Sequence, residues 1–225
     1  MRIRRKKNLE ARIDACKENF IYLIEEEKDA REVVFKQLDY NELFNNSNPT
    51  VLELGCGKGR FSNTLASLNP SINVLAVEKI DNVLITAAET AKEKGIKNAK
   101  FLCLAAEYLT RYIPKKSIDN LYLNFSCPYP KKRFSNRRLT NPKFLKVYKE
   151  ILKDGGFIYQ KTDNREFFEY SLINYTQNGF YIEDISLDLH KSEIENNIMT
   201  EYEEKFVNLG LPIYYAKIGM KKENE

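Results

Sequence analysis

The sequence predicts an α/β fold: a doubly wound, seven-stranded, mostly parallel sheet preceded by a helical extension. Three observations predict it. Strand-like apolar runs alternate with helical patterns from residue 50 almost to the end of the chain. The run Val51-Leu52-Glu53-Leu54 leads directly into glycines at 55, 57 and 59, and then into a helical stripe of Phe61, Leu65 and Leu68. The next apolar run, Ile72 to Val77, ends at an acid, Glu78. A strand, a glycine turn, a helix and a second strand closed by an acid open a nucleotide-type α/β unit.

The elements follow in order. Residues 1–48 read as a basic tail and helical extension, and residues 49–225 as one domain. The tail holds Arg2, Arg4, Arg5, Lys6 and Lys7. Cations so close together do not pack, so the tail is expected to stay mobile until it meets an anion. Residues 9 to 44 read as one or two amphipathic helices, with Phe20, Leu23 and Ile24, then Val33, Val34 and Leu38, on apolar faces. Asn45 to Pro49 is a linker by composition. Strand 51–54 precedes helix 60–68, strand 72–77 precedes helix 82–94, and strand 100–104 precedes a short helical piece near Glu107. Strand 118–124 leads into a long polar loop, then helix 142–153, a turn at Asp154-Gly155-Gly156 and strand 156–161. Helix 165–177, strand 180–187, helix 202–208 and strand 212–218 complete the pattern.

Composition excludes several classes. The chain has 225 residues, enough for one α/β domain with a sizeable core. Charged residues make up 30% and the formal net charge is +4, a mildly basic balance. No apolar run is long enough to span a bilayer and none reads as a signal-peptide core, so the expected place is the cytoplasm. Cys16, Cys56, Cys103 and Cys127 form no C-x-x-C pair, which argues against a zinc site or a disulfide framework; no metal is expected.

The glycine turn narrows the ligand. A P-loop needs Lys and then Ser or Thr after its last glycine, and here Lys58 lies between glycines. The dinucleotide spacing G-x-G-x-x-G would put its third glycine at Arg60. The spacing Glu53-x-Gly55-x-Gly57-x-Gly59 fits fully, and Glu78 is placed to accept two hydrogen bonds from a ribose diol. This pattern resembles motifs I and II of the class I S-adenosylmethionine-dependent methyltransferases. In such sheets ligands sit beyond the carboxyl ends of the strands, where Glu53, Glu78, Ala105 and the loop after Asn124 all fall.

That loop carries five cations among the eight residues 131–138, with Phe134 between them, behind the stiffening Pro128 and Pro130. A rigid, cationic, aromatic loop suits an anionic polymer bearing flat bases. Lysines and arginines would meet phosphates, and Tyr129 or Phe134 would stack on a base. Four segments then share one resemblance: Asn124-Phe125-Ser126-x-Pro128-x-Pro130-Lys131-Lys132-Arg133, Arg137-Arg138-Leu139-Thr140, Lys161-Thr162-Asp163-Asn164 and Thr200-Glu201-Tyr202-Glu203-Glu204-Lys205-Phe206. They resemble the bacterial tRNA (guanine-N7-)-methyltransferases.

The resemblance implies S-adenosylmethionine as cofactor and tRNA as partner, with methylation of guanine N7 at position 46 of the variable loop. It implies a cofactor site at Glu53, Gly55, Gly57, Glu78, Ala105 and Cys127. It implies nucleoside contacts from Lys131, Asp163, Thr200, Glu201, Tyr202 and Glu203, and RNA contacts from Lys132, Arg133, Arg137 and Arg138. Two positions depart from the family. Cys127 stands where the family has its proposed catalytic Asp, and Ala105 where it tends to place an Asp or Asn against the adenine. The catalytic role therefore does not carry over to Cys127, and Asp163 and Glu203 are left as the groups expected to stabilise developing positive charge.

The chemistry tolerates that loss. Guanine N7 has a free lone pair and needs no general base; it needs alignment with the methyl carbon at about 3–3.5 Å. One missing carboxylate is expected to raise the barrier by about 1–3 kcal/mol. Plainer readings stand beside these: Asp163 as a helix cap, His190 as a surface or structural residue, and Glu201, Glu203 and Glu204 as a solvated helix start. Other classes also remain: a class I methyltransferase acting on another RNA base or a small molecule, or a non-catalytic RNA-binding relative. An NAD-linked enzyme is disfavoured by Arg60.

Overall fold

A computed structural model of the chain describes residues 5–23 and 35–221. The chain divides into two units, Met1–Pro114 and Lys115–Glu225.

The first unit contains α1 (Leu9–Ala15), β1 (Phe20–Tyr22), α2 (Tyr40–Phe44), β2 (Thr50–Leu54), α3 (Arg60–Leu68), β3 (Asn73–Glu78), α4 (Asp81–Glu93), β4 (Ala99–Cys103) and, after a 3-10 turn at Ala106–Tyr108, α5 (Leu109–Tyr112). Its strands lie in the order β1-β4-β3-β2, all parallel. β2 is buried along its whole length, which is why its sequence reads as an unbroken apolar run rather than an alternation. α3 and α4 are neighbours: the Asn63 amide donates to the Ala87 carbonyl at 3.0 Å. α1 is fastened to α4, with Arg12 forking onto both Glu89 oxygens at 2.6 and 2.7 Å and the Lys92 ammonium reaching the Ala15 carbonyl at 2.6 Å.

Two expectations for the N-terminal extension are corrected here. Phe20 is not on a helix: Phe20-Ile21-Tyr22 pairs in register with Phe101, Leu102 and Cys103 as an edge strand. Aromatic and β-branched residues suit a pleated edge, and the described residues hold eight strands rather than the seven expected. The described part of the tail is also docked. The Lys6 backbone N–H donates to Asn82 Oδ1 at 2.6 Å, its ammonium bonds the Thr86 hydroxyl, and Arg5 pairs with Glu10. The first turns of α4 supply acceptors that the tail's composition does not reveal. Arg2, Arg4, Ile24, Val33 and Val34 lie outside the described residues.

The second unit contains β5 (Ile118–Asn124), a 3-10 turn at Lys132–Arg137, α6 (Pro142–Ile151), β6 (Leu152–Thr162), α7 (Arg165–Gln177), β7 (Phe180–Ser186), a 3-10 turn at Leu189–Lys191, α8 (Glu201–Asn208) and β8 (Tyr214–Met220). The strand order is β5-β6-β8-β7, with β5 and β6 parallel and β8 antiparallel to both its neighbours. α6 starts where Asn141 accepts from the Lys143 N–H ahead of Pro142 at the first turn. β6 begins at Leu152, earlier than the sequence pattern places it, because Ile118 pairs with Leu152 before the register shifts to Asn120 with Phe157. The Asp154-Gly155-Gly156 stretch is absorbed as an irregularity in the strand rather than as a turn before it. A Cβ on Gly156 would come within 2.6 Å of the Asp119 carbonyl oxygen.

Candidate functional site

In the first unit the cofactor candidates gather at the carboxyl ends of β2, β3 and β4. Glu53, next to last in β2, is buried, and its carboxylate accepts from the Ser62 hydroxyl on α3. Gly55 and Gly57 have φ of +77° and +58°, with open space where a Cβ would stand. Gly59, at φ +75°, differs: a Cβ there would overlap that of Ala87. The turn thus combines two uses of glycine. The first two leave a backbone surface free for close approach, and the third lets α3 lie against α4.

Glu78 ends β3, and its carboxylate accepts from the Ile80 N–H at 3.1 Å. Ala105 follows β4, half-buried, with its carbonyl accepting from the Tyr108 N–H at 3.0 Å. Cys56 lies between the acids. Its thiol is pushed well above its ordinary value, first by burial and then by the charges of Glu53 and Glu78. It is therefore an inert wall of the cradle.

In the second unit the nucleoside candidates surround the end of β6 and the start of α8. Asp163 is not a helix cap. Asn164 fills that position, accepting from the Phe167 N–H at 2.8 Å, which leaves the Asp163 carboxyl for another use. Burial raises the Asp163 pKa against the opposing pull of its own backbone N–H and of the Lys205 charge. Lys205, within a quoted segment but given no role there, is the cation nearest to it in effect. Tyr202 is 61% exposed and stacks against Phe125 at 6.4 Å between ring centroids, and Phe125 stacks in turn on Phe206 at 6.1 Å. Phe125 has a φ of +51°, a conformation that a bulky residue seldom adopts. No sequence signal marks that strain.

Glu203 is placed otherwise than the sequence reading has it. It is fully buried, and both oxygens are engaged. Oε2 accepts from Lys161 Nζ at 2.6 Å and from the Thr200 N–H at 3.3 Å, while Oε1 meets Asn197 and, at 2.9 Å, His190 Nε2. Thr200 Oγ1 accepts from the Glu203 N–H at 3.0 Å, completing a capping box. The expected solvated helix start is thus a buried hub for Glu203, whereas Glu201 remains exposed. Lys161, within a quoted segment but given no role, is the cation at its centre.

The cationic loop carries a 3-10 turn where only polar loop was expected. Lys131, Lys132, Arg133 and Arg137 are exposed, and Arg133 and Arg137 both lie over the Phe134 ring, at 4.9 and 5.0 Å. Arg138 is turned inward. It sits over the Tyr170 ring at 4.3 Å and donates to the Tyr129 carbonyl at 3.2 Å, so it positions the loop. Tyr129 is itself left-handed, at φ +42°. Cys127 is exposed in the same loop. Among the described residues no cluster has the makings of a metal site, and no helix is long and apolar enough to cross a membrane.

Residues 47–216 match the family model described as "Putative methyltransferase". A tRNA (guanine-N(7)-)-methyltransferase of Bacillus subtilis strain 168 is 46% identical over 179 residues, covering 80% of this chain and 84% of that protein. A protein of the same name from Listeria monocytogenes serotype 4b is 46% identical over 175 residues, covering 78% and 82%. Among solved structures, a 16S rRNA methyltransferase matches with a TM-score of 0.61 at 17% identity, over 81% of this chain and 93% of that one. A 30S ribosomal A1408 methyltransferase from an uncultured bacterium matches with a TM-score of 0.57 at 18% identity, over 82% and 95%. At those identities the structural likeness is one of fold.

Proposed function

The chain belongs to the tRNA (guanine-N7-)-methyltransferase family, and from that premise we propose that it methylates guanine 46, in the tRNA variable loop, at N7. It is a class I, Rossmann-like enzyme that uses S-adenosylmethionine and acts on guanine N7 of tRNA. The observation that carries the reading is the 46% identity running across 80% of the chain. The open backbone at Gly55 and Gly57 beside Glu78 fits the cofactor.

When bound, S-adenosylmethionine supplies an electrophilic methyl carbon on a sulfonium sulfur. The chain's own residues divide the remaining work. Gly55 and Gly57 admit the ligand against the backbone, Glu53 braces the turn through Ser62, and Glu78 accepts from the ribose diol. Ala105 lines the adenine end through its backbone. Cys127 is a small lining residue and not a nucleophile. Lys131, Asp163, Thr200, Glu201 and Tyr202 take the nucleoside, with Glu203 behind them holding Thr200 and Lys161 in place. Asp163 is the catalytic residue in an electrostatic sense: guanine gains positive charge as N7 forms its new bond, and a carboxylate beside the ring favours that charge. Lys132, Arg133 and Arg137 contact phosphates, and Arg138 shapes the loop that presents them.

The same proposal assigns residues 1–48 as an extension and 49–225 as the methyltransferase domain, working on tRNA in the cytoplasm. The test is transfer of labelled methyl from S-adenosylmethionine to an unmodified tRNA transcript, followed by borohydride reduction, which releases the N7-methylated base, and aniline cleavage at the abasic site. Scission at position 46, abolished in a transcript with adenine there, is the expected result. Incorporation without scission would move the methyl to another atom, and no incorporation would end the enzymatic reading.

A further inference from the structure

The register of the first unit's sheet lines up four residues that no assignment joins. Leu54 pairs with Val77, so the next residues along, Gly55 and Glu78, are level. Glu78 pairs with Cys103, and Cys103 pairs with Tyr22. One row therefore crosses the carboxyl edge of β2, β3, β4 and β1: glycine turn, ribose acid, Cys103, Tyr22. Registered residues of parallel strands project to the same side of a sheet, and neighbouring strands are about 4.8 Å apart, so Tyr22 stands about 10 Å beyond the ribose acid. A nucleoside whose ribose is held at Glu78 and whose tail lies at the glycine turn points its base outward along that row.

Tyr22 has the form such a base needs. The residue is 58% exposed, yet its hydroxyl donates to Asp81 Oδ2 at 2.7 Å, at the start of α4. Burial of the hydroxyl, Asp81 and Cys103 all push its pKa up, so it remains a protonated donor. Packing against Phe20, at 5.7 Å between centroids, steadies the ring further. An aromatic face that is fixed at its polar end and open to solvent is already ordered for stacking, so little side-chain freedom is lost on binding.

We infer that Tyr22, delivered by the extra edge strand β1, is the stacking wall of the cofactor's adenine subsite. The inference rests on the assignment of Glu78 to the ribose. It gives β1 a purpose and gives the base a partner where Ala105 offers no side-chain hydrogen bond.

The probe is S-adenosylhomocysteine, titrated by calorimetry into the full-length chain. Tyr22→Ala is expected to weaken it roughly five- to one-hundredfold, the range for loss of one base–aromatic stack, while Tyr22→Phe keeps most of the affinity. The sequence contains no tryptophan, so Tyr22→Trp installs a single reporter. Its fluorescence is expected to quench with S-adenosylhomocysteine or adenosine and not with methionine. Circular dichroism melting checks the fold of each variant, and the tryptophan variant carries the test if Tyr22→Ala proves unfolded. Unchanged affinity of folded Tyr22→Ala, or no quenching in Tyr22→Trp, overturns the inference. Glu78→Ala keeps the two readings apart. Lost affinity there with none lost at Tyr22 sinks only the stacking wall, and unchanged affinity at Glu78 sinks the ribose assignment itself.

Discussion

At the scale of single residues, environment separates side chains that look alike in sequence. The Asp163 carboxyl is raised from its ordinary 3.8 by burial. A raised carboxyl contributes stability that is complete below its unfolded value and is lost as pH rises through its folded value. Asp163→Asn is therefore expected to melt above the parent at pH 7, with the difference vanishing on acidification below the carboxylate range, while methyl transfer slows by about ten- to one-hundredfold. A variant that is less stable at pH 7 would contradict this. Cys127→Asp is expected to preserve or raise turnover, and a collapse in single-turnover assays would remove Cys127 from its place as a passive lining residue. The glycines divide in the same way. Gly59→Ala must force Ala87 aside at a left-handed position, so a loss of about 2–5 kcal/mol in denaturant melts is expected. Gly57→Ala meets no neighbour but must hold the same left-handed backbone, so a smaller loss of about 1–2 kcal/mol is expected beside its loss of cofactor affinity.

Elements show what a sequence reveals and what it conceals. α3, α7 and β5 have the bounds their apolar patterns indicate, because each is long enough to display a period and each has a glycine, asparagine or polar break at an end. β1 is not legible because Phe20-Ile21-Tyr22 is too short to show alternation and its apolar residues fit a helical stripe equally well. α8 was legible as a helix, but not in the direction Glu203 faces: Lys161 is 42 positions away, and nothing local announces the pairing. With Lys161 6% exposed and Glu203 fully buried, removing one partner strands the other. Glu203→Ala is accordingly expected to cost about 3–5 kcal/mol in chemical denaturation. Thr200→Ala, which loses only a cap, should cost about 1 kcal/mol. Equal and small losses would mean the hub is slack.

For the whole molecule, the net charge of +4 is less informative than where its cations are spent. Arg133 and Arg137 are exposed, so neutralising each is expected to weaken tRNA binding and lower the logarithmic salt slope by about one, with cofactor affinity unchanged. Arg138 is committed to Tyr129 and Tyr170, so its loss should disturb the loop without that salt signature. The same accounting applies to sulfur. Cys16, Cys56 and Cys103 are shut inside the fold, and Cys127 alone among the four reaches the surface. A maleimide dye should therefore couple once per native chain, at the very loop assigned to tRNA. That exposed thiol is a ready attachment point, through which nucleic acid arriving and leaving can be followed by light.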